Sequence, residues 1–227
     1  MPKPCNEAVP PFAIPPLYAI LDTDVAARAG WPILDLADAY LRGGARLLQL
    51  RAKAMPGDRF LATAAALVQL AHRYQARVVI NDRADIARLA GAGGVHVGQD
   101  DLPPSAARSV IGEAIVGLST HTADQFARAL LEPVDYVAVG PVFGTATKAT
   151  GYDRVGLEMV REGAGRARVR GLPIVAIGGV TLENAQSVLD AGASSVAVIS
   201  DLVSAADPEA RVRAYIERLS RSEWPRV

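Results

Sequence analysis

Very little in this chain supports a disulfide, a membrane span or a polyanion partner. Cys5 is the only cysteine among 227 residues, so no intrachain disulfide can form, and it sits in a Pro-rich leader remote from any His or Asp cluster. No run of about eighteen apolar residues occurs, which excludes a conventional spanning helix. The leader "MPKPCNEAVPPFAIPP" lacks the apolar core and small-residue cleavage site of a secretory signal, so the cytoplasm is the expected location. Charge of either sign is not in excess: Lys plus Arg and Asp plus Glu number 24 each, which gives no field to attract nucleic acid or an anionic membrane. Small-molecule substrates are the expected partners, and a homo-oligomer stays open. A G-x-G-x-x-G turn after the first strand is missing too, which removes support for a dinucleotide fold.

What is present is an ordinary globular balance, 50% hydrophobic and 21% charged, over a length that suits one large domain. Short β-branched runs alternate with Ala- and Leu-rich stretches whose apolar residues recur every three or four positions. The runs are "LYAILD" (17–22), "LLQLR" (47–51), "RVVIN" (77–81), "GVHVG" (94–98), "AIVGLS" (114–119), "YVAVG" (136–140), "PIVAIGG" (173–179) and "SVAVIS" (195–200). Their near-continuous apolar character implies strands covered on both faces, as in a parallel sheet wrapped by helices. "YLRGGARLLQLR", "RLAGAGGVHVGQ" and "VLDAGASSVAVIS" repeat one helix, glycine turn, strand plan. Eight strand-then-helix units predict an α/β fold that is a single (βα)8 TIM barrel, with a doubly wound sheet as the alternative. Residues 1–16 are read as leader, 17–220 as the catalytic barrel and 221–227 as a tail.

In such a barrel, function sits where strands end, and polar residues gather there: "QLRAK", "ND", "GQDD", "STHT", "GPVFGTATK" and "GGVT". Asp82 and Asp101 close neighbouring strands, and two hard oxygen ligands there suit Mg²⁺ shared with substrate oxygens. Asp100 is an equal candidate by chemistry alone, and any of the three could be a turn or cap residue. Arg51, Lys53 and Lys148 bring positive charge to the same rim and Asn81 a neutral amide. Cations around a carboxylate pair describe a diphosphate site better than a glycosidase pair. Gly179 and the small residues ending the last two strands suggest a second, monophosphate site. His96 could face either way in its strand, and a structural role is favoured. His72 needs no role.

Taken in order, "LYAILD", "LLQLRAK", "VVINDRADIA", "GVHVGQDDLP", "VGLSTHT", "DYVAVGPVFGTATKATG", "IVAIGGVTLENA" and "SVAVIS" resemble the thiamine phosphate synthase family over residues 17–216. The resemblance implies an Mg²⁺-dependent transferase that couples a hydroxymethylpyrimidine diphosphate to a thiazole phosphate or its carboxylate. It places Gln49, Arg51, Lys53 and Asn81 in the pyrimidine diphosphate pocket, with Tyr18 closing it, and makes Asp82 and Asp101 the metal ligands. It puts Ser119 and Lys148 on the diphosphate, and Thr145, Thr147, Gly179, Ile199 and Ser200 around the thiazole phosphate. Many members have an acidic residue where this chain has Ala52, and a Pro where it has Gly144. A thiazole tautomerase-type isomerase and a noncatalytic phosphate-binding regulator are the competing classes; His121 would be the proton shuttle of the former and otherwise a hydrogen-bonded loop residue.

Overall fold

The computed structural model describes residues 13–144 and 152–220. Eight parallel strands close into one barrel in chain order. They are β1 Leu17–Asp22, β2 Leu47–Arg51, β3 Arg77–Asn81, β4 Gly94–Val97, β5 Ile115–Thr120, β6 Tyr136–Val139, β7 Ile174–Ile177 and β8 Ser195–Val198. Closure is made by β8 against β1, with Tyr18 opposite Ala197. The connecting helices are α1 Thr23–Arg28, α2 Ile33–Arg42, α3 Gly57–His72, α4 Ala84–Ala90, α5 Pro104–Ile111, α6 Ala123–Ala129, α7 Gly156–Arg168, α8 Ala185–Asp190, α9 Ser200–Val203 and α10 Pro208–Leu219. The closed sheet excludes the doubly wound alternative. Most of the leader and the 221–227 tail lie outside the described residues.

Strand alternation divides the apolar residues between two cores. In β1, Leu17, Ala19 and Leu21 pack outward under the helices, while Tyr18 and Ile20 point to the barrel axis. The outer core takes helix faces such as Leu36, Tyr40 and Leu41 of α2 and Phe60, Ala64 and Leu67 of α3. The axial core is smaller and ends upward in polar side chains: Gln49, Asn81 and His96 are all buried there. His96 therefore faces inward, the point that its alternating strand left open.

Local chemistry ends the elements where the site begins. Asp22 finishes β1 and caps α1, its Oδ1 accepting the N–H groups of Asp24 and Val25 at 3.0 Å each. Thr122 caps α6 and Asp207 caps α10 in the same way. The three repeated glycine turns have the positive φ expected of them, at Gly44, Gly91 and Gly192. Two strand ends differ from the apolar runs. β7 stops at Ile177 because Gly178 and Gly179 both leave the extended region, with φ of 100° and 65°. β8 stops at Val198, and Ser200 is the first residue of α9 rather than the last of a strand. Apolar composition could not register that turn, because Ile199 continues the run in type while its ψ of −82° leaves it in backbone.

Candidate active site

The rim from β1 to β4 is built of charged side chains. Arg51, ending β2, lies opposite Asp22 in the β1–β2 register and forms an ion pair with its Oδ2. Asp22 is thus committed on both oxygens, one to the α1 cap and one to the guanidinium. Lys53 Nζ stands 2.5 Å from Asp82 Oδ2. Asp82 follows β3 with φ +63°, a left-handed conformation that Asp tolerates better than most residues, and its N–H donates to His96 O at 2.7 Å. Asp101 accepts the Gly98 N–H at 2.8 Å through Oδ2.

Asp82 and Asp101 lie close enough for each to shift the ionisation of the other. Burial pushes the Asp82 carboxyl above the usual carboxylate range, Asp101 adds to the push, and Lys53 opposes it. Burial also raises Asp101, but its pairing with Asp82 and the hydrogen bond from Gly98, with the charge of Lys53, leave it below that range. Two acids this close need a proton, or a cation in its place. A half-buried carboxylate pair is the donor set that Mg²⁺ takes from a protein when phosphate oxygens and water supply its other ligands, so the chemistry of these residues fits that ion. Among the described residues no group of three or more His, Cys, Asp or Glu forms an all-protein metal cage. Asp100 is exposed beside this pair, and the interaction with Asp82 belongs to Asp101.

Below the rim, a small axial cavity of about 50 Å³ is lined by Tyr18, Gln49, Arg51, Asn81, His96, Ser119 and Tyr136 among others. One row across the sheet explains its shape: His96, Gly117 and Tyr136 are mutual register partners on β4, β5 and β6. A Cβ on Gly117 would lie 2.1 Å from Tyr136 Cζ, so the missing side chain is the gap through which the phenol crosses β5. Tyr136 then stacks on His96 at 5.5 Å between centroids and 14° between planes. Burial holds the hydroxyls of Tyr18 and Tyr136 far above the usual phenol range, so both keep their hydrogens.

Among the described residues, the rim from β6 to β8 is mostly glycine backbone and small side chains. A cavity of about 460 Å³ is lined by Ser119, His121, Gly140, Gly178, Gly179, Ile199, Ser200 and Asp201 with their neighbours. Gly179 combines φ +65° with a close approach, since a Cβ there would meet Gly144 O at 2.5 Å. Asn184 fixes this turn, donating to Gly179 O at 3.0 Å and accepting from Thr181 N at 2.8 Å. Asp201 is held by Arg211, by the Tyr215 hydroxyl at 2.5 Å and by Leu182 N, which compensates its charge beside the cavity. His121 Nδ1 meets Gly140 O at 2.6 Å, and its ring stacks on Tyr152 at 4.3 Å.

The fold brings Tyr18, Gln49, Arg51, Asn81 and Ser119 to the axial cavity, and the segments after β2, β3 and β4 bring Lys53, Asp82 and Asp101 together. Gly179, Ile199 and Ser200 meet at the second cavity, while Ser119 and Ile199 line both. Thr145, Thr147 and Lys148 lie outside the described residues. Ala52 is buried and packs in the outer core. Sequence reading missed Asp22 and Tyr136. The signal for Tyr136 was available, because a tyrosine in phase with the inward positions of a buried strand must place its hydroxyl somewhere polar.

A family model described as thiamine monophosphate synthase matches residues 17–202. The chain belongs to this family. It is 43% identical over 199 residues to the thiamine-phosphate synthase of Roseiflexus sp. (strain RS-1), spanning 87% of this chain and 82% of that one. It is 43% identical over 198 residues to that of Thermus thermophilus, spanning 86% and 94%. The solved structure of thiamine phosphate pyrophosphorylase from Pyrococcus furiosus superimposes with a TM-score of 0.81 at 29% identity, covering 90% of this chain and 95% of that one. The family match runs through both halves of the rim, from β1 to α9.

Proposed function

We propose that the charged half of the rim takes the pyrimidine diphosphate and the glycine half takes the thiazole phosphate. The chain carries its family's activity, that of thiamine phosphate synthase, a transferase of thiamine biosynthesis. Hydroxymethylpyrimidine diphosphate is joined to a thiazole phosphate, giving thiamine phosphate and diphosphate, or to its carboxylate, in which case the carboxylate also leaves as carbon dioxide. The bond from the pyrimidine methylene to the diphosphate oxygen breaks with its electron pair on oxygen, and the thiazole nitrogen forms the new bond to that carbon.

Charge on the leaving oxygen is the quantity this site must stabilise. Arg51, aimed by Asp22, and Lys53, beside Asp82, present cations to the diphosphate. Ser119 adds a hydroxyl where the two cavities meet, and Gln49, Asn81 and Tyr18 hold the pyrimidine ring. Asp82 and Asp101 would hold Mg²⁺, which when bound supplies positive charge against the diphosphate oxygens. Gly179, Ile199 and Ser200 hold the thiazole phosphate through backbone and hydroxyl donors, so that its nitrogen waits near the methylene. Thr145 and Thr147 join them on sequence pattern alone, as Lys148 joins the diphosphate group. No general base is required, because the nucleophile is a neutral ring nitrogen.

The observation that carries this division is the convergence of Asp82, Asp101 and Lys53 at the barrel mouth. Diphosphate release from both substrates together, with Mg²⁺ and in chelator, tests it. Release that depends on both substrates and on Mg²⁺ is expected. Full activity in chelator would sink the metal assignment, and isomerisation of a thiazole phosphate without diphosphate release would replace the synthase by the isomerase.

A further inference from the structure

Five buried or half-buried side chains form an unbroken line across the axis of the barrel. Gln49 Nε2 donates to the Tyr18 hydroxyl at 2.9 Å, and Tyr18 meets the Tyr136 hydroxyl at 3.1 Å. Tyr136 meets His96 Nδ1 at 2.8 Å, and His96 Nε2 meets Ser119 Oγ at 2.8 Å. Four hydrogen bonds need four hydrogens, and each phenol has only one to give. Because the Gln49 amide nitrogen can only donate, the Tyr18 oxygen accepts, and the buried Tyr18 hydrogen finds an acceptor in this line only by passing to Tyr136. Tyr136 then accepts from Tyr18 and donates to His96, which leaves Nδ1 without a hydrogen. A neutral imidazole with a bare Nδ1 carries its hydrogen on Nε2 and donates to Ser119.

We propose that this chain of hydrogen bonds runs in one direction, from Gln49 through Tyr18, Tyr136 and His96, and so fixes Ser119 as a donor toward the departing diphosphate. Turning the Gln49 amide over would reverse every step and make Ser119 donate to His96, showing an anion only its lone pairs. An anion site needs the first arrangement. Tyr136 and His96 are thereby positioning residues for Ser119, and Gly117, which leaves the space for the Tyr136 ring, is part of the same device. The role of Ser119 as diphosphate donor rests on the function proposed above, whereas the direction of the chain does not.

Nitrogen NMR of the ¹⁵N-histidine-labelled, substrate-free protein reads the direction, with His72→Gln and His121→Gln variants identifying the His96 signals. A proton-bearing Nε2 and a bare Nδ1 are expected at His96; a hydrogen on Nδ1, alone or together with one on Nε2, overturns the proposal. Gln49→Met removes the first donor and should turn the single tautomer into a mixture. An unchanged single tautomer would show that Gln49 does not set the direction. Single-turnover diphosphate release then tests the link to Ser119. Tyr136→Phe should slow the wild-type chain about tenfold, the scale of one hydrogen bond to a charged group, but a Ser119→Ala chain less than about twofold. Equal slowing in both backgrounds would mean that Tyr136 acts on its own. Failure of the wild type to release diphosphate at all would instead overturn the synthase reading and leave the tautomer result standing.

Discussion

Between β1 and β4 the mouth of the barrel is made of side chains that carry charge, Arg51, Lys53, Asp82 and Asp101, each held by another of them or by a neighbour such as Asp22 or Gly98. At the ends of β7 and β8 it is made largely of backbone, with Gly178 and Gly179 at positive φ and Asp201 compensated by Arg211 and Tyr215. The difference follows from what happens to the two anions. A leaving diphosphate gains charge on the oxygen that departs, so cations around it act more strongly in the transition state than before it, and raise turnover. The thiazole phosphate keeps its charge throughout. Fixed neutral donors bind it equally before and during the reaction, which sets KM and leaves turnover alone. Damage to the two halves should therefore appear in different constants.

The largest effect belongs to the charged half. Asp82→Asn keeps a residue that accepts φ +63° and a similar shape, but removes one of two converging carboxylates and the partner of Lys53. By analogy with the loss of one group that stabilises transition-state charge, turnover should fall about a hundred- to a thousandfold, with the thermal midpoint close to wild type. Asp101→Asn should act alike, and the double variant should lose less than the two losses combined, because both act on one ion. Titrating Mg²⁺ against turnover checks this: an unaltered Mg²⁺ requirement in both single variants would contradict a shared ion and with it the contrast between the halves.

Gly179→Ala tests the other half. Its Cβ would fall 2.5 Å from Gly144 O and 2.7 Å from Phe143 Cβ, at a φ that an L side chain rarely adopts. Stability should drop by about 1–3 kcal/mol, and KM for the thiazole phosphate should rise while turnover at saturation changes little. Steady-state kinetics with the thiazole substrate varied decides it. A turnover loss as deep as that of Asp82→Asn would mean that the glycine half also acts on the leaving group.

These two halves were not equally legible in the sequence. Charged residues at strand ends announce themselves by type, so Arg51, Lys53 and Asp82 could be read once eight strands had been counted, while the choice of Asp101 over Asp100 needed the family pattern. The glycine half was readable only as small residues, because its donors are N–H groups that every residue shares; Gly179 stood out as a glycine at a strand end, while Ser200 needed the family pattern. The strands themselves were plain, since burial on both faces leaves uninterrupted apolar runs. Strand ends were not, and Ser200 moved from strand to helix because a turn made by Ile199 in ψ leaves no mark in composition. Hardest of all was the axial line through Tyr136 and His96. It depends on Gly117 lying between them in the register, a fact about three strands at once.

Gly117→Ala should accordingly disturb the charged half from beneath. The added methyl would overlap the Tyr136 ring, which has no slack in a fully buried position. A cost of about 1–3 kcal/mol is expected for such overpacking, which in a chain of this size lowers the melting midpoint by a few degrees per kcal/mol. Turnover should fall with it, since Ser119 is reached through the displaced phenol. Differential scanning calorimetry and single-turnover rates on one preparation separate the two effects; a stability loss with undiminished turnover would detach Tyr136 from the chemistry.

The smallest effect should come from His121→Ala, although this side chain lines the larger cavity and has the chemistry of an acid or base. Its position explains the expectation. Nδ1 is engaged with Gly140 O, the ring is stacked on Tyr152, and the backbone N–H goes to Gln125 Oε1 at 2.7 Å. These contacts brace the β5 and β6 loops against each other, and coupling through ionisation leaves no proton for an imidazole to carry at the attacking nitrogen. Losing one hydrogen bond and one ring contact should slow turnover less than about tenfold. An isomerase would respond in the opposite way, because moving a proton between ring positions needs a group of this kind within reach. Single-turnover comparison with Asp82→Asn is therefore the sharpest use of the variant: if His121→Ala is the more damaged of the two, proton transfer and not diphosphate departure limits the reaction, and the charged half of the rim loses its assigned part in it.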